Sequence, residues 1–219
     1  KSTLMNAIAG AITLDSGTIK IAGKDVTKLP EYKRAAYLGR VFQDPNMGTA
    51  SQMNIEENMM LATRRTKKKT LKWGFNKEDR EACVNKLKSL NLGLENRLEQ
   101  KVGLLSGGQR QAVTLLMATI QRPDILLLDE HTAALDPKTA KVVLELTSKI
   151  VEEEKITTLM ITHNMRDAIK YGNRLIMLNE GRVIFDISGE EKKNLTVQEL
   201  LEKFEKDDDI QLDDKMILG

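Results

Sequence analysis

The chain has 219 residues, enough for one domain, or one domain with a sub-lobe, around a sizeable core. Its 34 lysines and arginines nearly balance 32 aspartates and glutamates, and a net charge of +2 sets up no global field that demands a nucleic-acid partner. A single cysteine, Cys83, excludes an internal disulfide and fits a reducing compartment; the longest clean apolar run, Ile125–Leu128, is far short of the roughly 18 residues of a membrane span.

No secretory leader is visible, and any membrane role is expected to come through a partner. The first ten residues, KSTLMNAIAG, run from Lys1-Ser2-Thr3 into an apolar, alanine-rich stretch. Residues 18–22, TIKIA, alternate as a strand, and GKD follows as a turn. Pro30 in LPEYKRAA opens a helix, and LGRVFQ reads as a second strand. From about Asn46 to Thr119 the pattern is helical, with apolar residues three to four apart in NIEENMMLATRR and KEDREACVNKLKSLNL. DILLLDE predicts a buried strand. PKTAKVVLELTSKIVEEEK predicts a long amphipathic helix whose apolar stripe includes Val142, Val143, Leu146 and Ile150. Strand TTLMIT, helix NMRDAIKYG, strand RLIMLN, turn Glu180-Gly181 and strand RVIFDI complete the pattern. Strand–helix alternation implies an α/β fold, a mostly parallel sheet with helices on its faces. The strand-free middle is expected to form a separate helical lobe. Near the end, Thr196 is placed to cap a short amphipathic helix presenting Leu200, Leu201 and Phe204 on one face, and the acidic residues beyond it read as a loosely held terminus.

Chemistry concentrates in short stretches. Lys1-Ser2-Thr3 reads either as a helix start with Ser2 near the cap or as the rear of a phosphate-binding loop. In the second reading the lysine ammonium reaches the outer phosphates, the serine hydroxyl ligates magnesium, and the helix offers free N–H groups to the anion. In ILLLDE an apolar run fit for a central strand ends in Asp129 and Glu130, at the sheet edge where open α/β folds bind ligands. Asp129 can hold magnesium through its water shell and Glu130 can polarise an attacking water, although an acidic turn explains the pair equally well. LLSGGQRQAVTLLMATI places Ser106 as an N-cap, followed by Gly107 and Gly108, where backbone can approach a ligand closely, and then Gln109 and Arg110.

LSGGQRQ resembles the signature sequence of ATP-binding-cassette ATPases, and it is a highly specific heptapeptide. The other stretches then follow in that family's order from Lys1 to about residue 190. RVFQDP resembles the Q-loop, in which Gln43 contacts magnesium or the attacking water. AALDP resembles the D-loop, in which Asp136 lies across a dimer interface. MITHNM resembles the switch region, with His163 aimed at the γ-phosphate. His131 departs from the pattern, since the family most often has proline after the catalytic glutamate; the simpler reading is that it shapes the turn. The family's first strands, its adenine-stacking aromatic and the Gly-x-x-Gly-x-Gly half of the loop do not precede Lys1, so ATP binding by these 219 residues alone is expected to be weak.

The resemblance implies a P-loop NTPase-type core over residues 1–45 and 120–188, a helical signature subdomain over 46–119 and a tail over 189–219. It implies ATP and Mg2+ as ligands, with Lys1, Ser2, Thr3, Gln43, Asp129, Glu130 and His163 of one subunit facing Ser106, Gly107, Gly108, Gln109 and Asp136 of another. A head-to-tail homodimer or paired ATPase subunit, a separate transmembrane permease and, in some relatives, a solute-binding protein are the implied partners. The location is cytoplasmic, on the inner face of the cell membrane, and the direction is import. The basic run RRTKKKTLKWGF reads first as a solvated face and second as a contact for anionic headgroups near a permease or for nucleic acid. A non-transport cassette acting on ribosomes or DNA is the alternative. Neither a second cassette nor a coiled-coil insertion lies between Lys1 and Ser106, and no nucleic acid is expected. An inert fragment of the ATPase is a further alternative.

Overall fold

The structure is a computed structural model, and it describes residues 1–65 and 77–205. Most of the basic run, residues 66–76, and the acidic terminus from residue 206 lie outside the described residues. Ser2–Met160 form one compact unit; Lys1 groups with a second, which begins at Ile161.

In the larger unit the chain starts with helix α1 (Ser2–Ala9), which ends at Gly10, where φ is +85°. A side chain at Gly10 would sit 2.8 Å from Nε of Arg34, and the reason is functional for the helix. Arg34, only 3% exposed, donates to the carbonyls of Ala7 (2.6 Å) and Ile8 (3.0 Å), capping α1 with a positive charge at its negative end. The same guanidinium bonds the carbonyls of Leu29 and Thr27, each at 2.8 Å. Arg34 closes the short helix α2 (Glu31–Arg34), which follows Pro30 as the sequence predicts.

The strand expected at 18–22 is shorter and belongs to a hairpin. Strands β1 (Lys20–Ile21) and β2 (Lys24–Asp25) pair Lys20 with Asp25 and Ile21 with Lys24. The turn is Ala22-Gly23, both at positive φ, so the expected turn residues Lys24 and Asp25 are strand instead.

Strands β3 (Leu38–Val41), β4 (Ile125–Asp129) and β5 (Thr157–Ile161) make a sheet in that order, with β3 and β4 parallel. The LLL of β4 is buried on both faces, as a continuous apolar run requires. Leu126 and Leu128 join Val41, Leu115, Ala118, Ile150 and Ile156 in one core cluster. Leu127 alternates to the opposite face, the side on which α1 packs against β4. The helix α5 (Gly107–Thr119) lies against β3 so closely that a Cβ on Gly39 would fall 2.5 Å from the carbonyl oxygen of Ala118. Helix α6 (Pro137–Glu153) buries Val143, Leu144 and Ile150 and half-buries Leu146. Val142, expected in its apolar stripe, is 46% exposed, because the buried face is centred one residue further on.

Between β3 and β4, helix α3 (Ile55–Thr63) is capped by a reciprocal Asn54–Glu57 box, and α4 (Lys77–Lys88) and α5 complete a helical layer. Among the described residues of 46–119 there is no strand beyond an isolated bridge between Asn54 and Lys101. Ile55, Met59, Cys83, Leu87, Leu94, Val102, Val113 and Leu116 form its own core.

The second unit contains α7 (Met165–Lys170), an antiparallel pair β6 (Arg174–Asn179) and β7 (Arg182–Ser188), α8 (Gly189–Lys193) and α9 (Val197–Glu205). Thr196 caps α9 as expected, its hydroxyl accepting from Glu199 N–H at 3.2 Å. The helix packs on its unit, with Leu200 2% exposed in a cluster with Met165, Leu175, Met177 and Ile187. Phe204 lies outside the described side chains. Lys192 of α8 turns inward and donates to the carbonyls of Ile169 (2.5 Å) and Tyr171 (3.1 Å), so a buried lysine caps α7.

Candidate functional site

Parallel pairing of β3 and β4 sets the register Arg40–Leu127 and Val41–Leu128. Two residues on from this last pair, Gln43 and Glu130 leave the sheet at the same edge, and Asp129 is the last residue of β4. That edge is the carboxyl end of the strands, where ligand sites of open α/β sheets form. Glu130 has a positive φ of 47°, a costly conformation for a residue with a Cβ, which turns the chain sharply from β4.

Asp129 is tied to the helix that begins at Ser2 through a third residue. Leu127 and Asp129 alternate onto one face of β4, and the register puts Arg40 on that face as well. Nη2 of Arg40 stands 3.5 Å from Oδ2 of Asp129 and donates to Oδ1 of Asn6 in α1 at 2.8 Å. The guanidinium carbon is 4.6 Å from the ring centre of Phe42. Sequence reading missed Arg40, because its partners are 34 and 89 residues away and only strand register joins them. Ser2 and Thr3 are exposed in the first turn of α1, and Lys1 is exposed immediately ahead of it. His163 is exposed two residues beyond β5; it and Lys1 fall outside the Ser2–Met160 unit.

Ser106 caps α5 as predicted. Its hydroxyl accepts from Gln109 N–H, and Oε1 of Gln109 accepts from Ser106 N–H, both at 3.3 Å. Ser106 and Gly107 are exposed, with the free N–H groups of the helix start beside them. Gly108 is buried, and the space a side chain would take belongs to Thr139: a Cβ there would lie 2.1 Å from its Cγ2. Thr139 is also the partner of Asp136, whose Oδ1 accepts its N–H at 3.1 Å and caps α6. The hydrogen bonds from Thr139 hold the exposed Asp136 carboxyl below the usual carboxylate range.

The start of α5 also grips the segment after β3. Gln111, fully buried, donates to the carbonyl of Phe42 at 3.0 Å, next to Gln43. Arg110 bonds the side chain of Asn46 and the Gly103 carbonyl, and a Cβ on Gly48 would collide with Thr114. The periodicity of α5 marked these positions only as helix interior.

His131 lies in the turn that follows β4, as expected, and is buried there. It is 2% exposed, with Nε2 3.2 Å from Oγ1 of Thr147 on α6. The Thr147 hydroxyl donates to the Val143 carbonyl at 2.7 Å, so its oxygen accepts from Nε2–H of a neutral ring. Burial lowers the imidazole to about 4.

Ser2, Gln43 and Asp129 offer a hydroxyl, an amide carbonyl and a carboxylate, the hard oxygen donors that suit Mg2+. Among the described residues no group of three or more His, Cys, Asp or Glu could cage a metal.

A profile of the family described as "ABC transporter" matches residues 1–133. The tyrosine transport ATP-binding protein of Clostridioides difficile is 50% identical over 94% of this chain and 81% of its own length. The thiamine import ATP-binding protein ThiQ of Salmonella choleraesuis is 36% identical over 84% of this chain and 73% of its own. Among solved structures, a dimeric ATP-binding cassette in a post-hydrolysis state with ADP and Pi superposes with a TM-score of 0.70 at 29% identity, over 85% of this chain and 79% of that one. An ADP-conformation cassette of an ABC transporter gives 0.70 at 27% identity, over 88% and 77%.

Proposed function

The chain belongs to the ABC transporter family of ATP-binding cassettes, an ATPase family, and from that premise we propose that it is the ATP-hydrolysing subunit of an importer. The reading rests chiefly on one observation: Gln43, Asp129 and Glu130 leave a parallel sheet at one edge, while a Ser106-capped helix start is exposed elsewhere on the same unit.

In this reading Lys1, Ser2 and Thr3 hold the outer phosphates with the N-terminal turn of α1. Ser2, Gln43 and Asp129 hold Mg2+, which when bound supplies positive charge against the phosphate oxygens. Glu130 takes a proton from the attacking water, and its strained backbone fixes where the carboxylate stands at the end of β4. Gln43 orients that water, and His163 donates toward the γ-phosphate. The second half of the site is Ser106, Gly107, Gly108, Gln109 and Asp136 of another copy, related head to tail by a two-fold axis. ATP bridges the two halves and hydrolysis removes the bridge, so dimer closure follows the nucleotide. Gln111 and Arg110 tie α5 to the segment around Gln43, giving the helical layer a mechanical link to the site.

The partner moved by this cycle is a separate membrane permease, with the ATPase on its cytoplasmic face. Among the described residues no helix is long and apolar enough to cross a membrane. The relative at 50% identity supports an amino-acid-class solute over thiamine, whose transport relative is at 36%. Substituting Glu130→Gln in the full-length protein is expected to cut phosphate release by about a hundredfold or more while ATP still binds and traps a dimer on size exclusion. Undiminished turnover overturns the assignment.

A further inference from the structure

Arg40 is a cation placed against a carboxylate that the proposed reading assigns to metal. Both side chains are nearly enclosed, Arg40 at 12% and Asp129 at 14% exposure, so solvent screens the pair weakly. The 3.5 Å separation is longer than an ordinary hydrogen bond, and one of the two N–H groups on the Nη2 closest to Asp129 donates to Asn6. Nε of Arg40 is buried with no hydrogen-bond partner among the described residues. Arg40 is therefore fixed by Asn6 and the Phe42 ring, and it acts on Asp129 through charge rather than by orienting its oxygens.

We propose that Arg40 serves as a built-in counter-charge to Asp129, lowering the site's affinity for divalent metal so that metal binds only together with nucleotide phosphates. This rests on the assignment of Asp129 as a metal ligand. A cation this close to a carboxylate weakens the attraction that the carboxylate offers to a second cation. A metal ion competes with the guanidinium for the same charge. Without metal, Arg40 neutralises Asp129 and the sheet edge stays intact. With metal present, two positive groups share one carboxylate, and the phosphates must supply the remaining negative charge.

The test is Mn2+ titration of the full-length protein, with free Mn2+ read by electron paramagnetic resonance, without nucleotide and with saturating ADP. Wild type is expected to bind Mn2+ only in the presence of ADP. Arg40→Gln and Arg40→Met, two neutral side chains that pack differently, are expected to tighten Mn2+ binding in the ADP complex about tenfold. Arg40→Lys, which keeps the charge, is expected to stay within about threefold of wild type. If the neutral variant that folds binds Mn2+ within twofold of wild type, or more weakly, the counter-charge role is wrong and the ATPase reading stands. If wild type binds no Mn2+ with ADP, the assignment of Asp129 falls and this inference falls with it.

Discussion

Acid should destabilise this protein through His131 specifically. The ring is 2% exposed and donates to Thr147, and burial lowers its pKa from 6.5 to about 4. Between those two values the unfolded chain binds a proton that the folded protein excludes, so stability falls as the pH drops through that window. Linkage with these values puts the loss from pH 7 to pH 5 at about 2 kcal/mol, rising to about 3 kcal/mol near pH 4. Above pH 7 the contribution is flat. The perturbation to compare is His131→Gln, which keeps a donor for Thr147 and does not titrate. Urea unfolding followed by far-UV circular dichroism at pH 7 and pH 5 gives the two stabilities. At a slope of roughly 2 kcal/mol per molar urea, the wild-type midpoint should fall by about 1 M more than that of the variant. Parallel pH dependences for the two proteins would mean that the imidazole is hydrated or already charged, and the reasoning from burial would be wrong.

Gly108→Ala places a Cβ 2.1 Å from the Thr139 methyl, on a stiff β-branched side chain, and should destabilise by about 1–3 kcal/mol in thermal melts. Adding Thr139→Ala should recover most of that loss; failure to do so would refute the steric account. Arg34→Met removes the guanidinium donor from the carbonyls of Ala7, Ile8, Thr27 and Leu29, of which Ala7 keeps the longer bond from Gly10 N–H, and should cost about 2–4 kcal/mol by urea unfolding. Arg34→Lys should rescue little, because one ammonium does not span the directions served by a guanidinium.

The residues that carry local rules were legible in the chain itself. Ser106 and Thr196 cap helices where the side-chain order predicts a cap, since capping needs only neighbours within three residues. The buried strand ending at Asp129-Glu130 follows from an unbroken apolar run, and the family order of LSGGQRQ, RVFQDP and ILLLDE identified the ATPase class. Tertiary structure decided everything that depends on register or on contacts across long stretches of chain. Arg40 meets Asp129 only because β3 and β4 pair in parallel with Arg40 beside Leu127. Arg34 reaches back 27 residues to cap α1, and Lys192 reaches back 23 to cap α7. His131, which reads as a turn residue, is drawn inside by Thr147, sixteen residues on. Local propensity has no access to such pairs: a cation or an imidazole is placed inside only when a distant element supplies the acceptors that offset its desolvation.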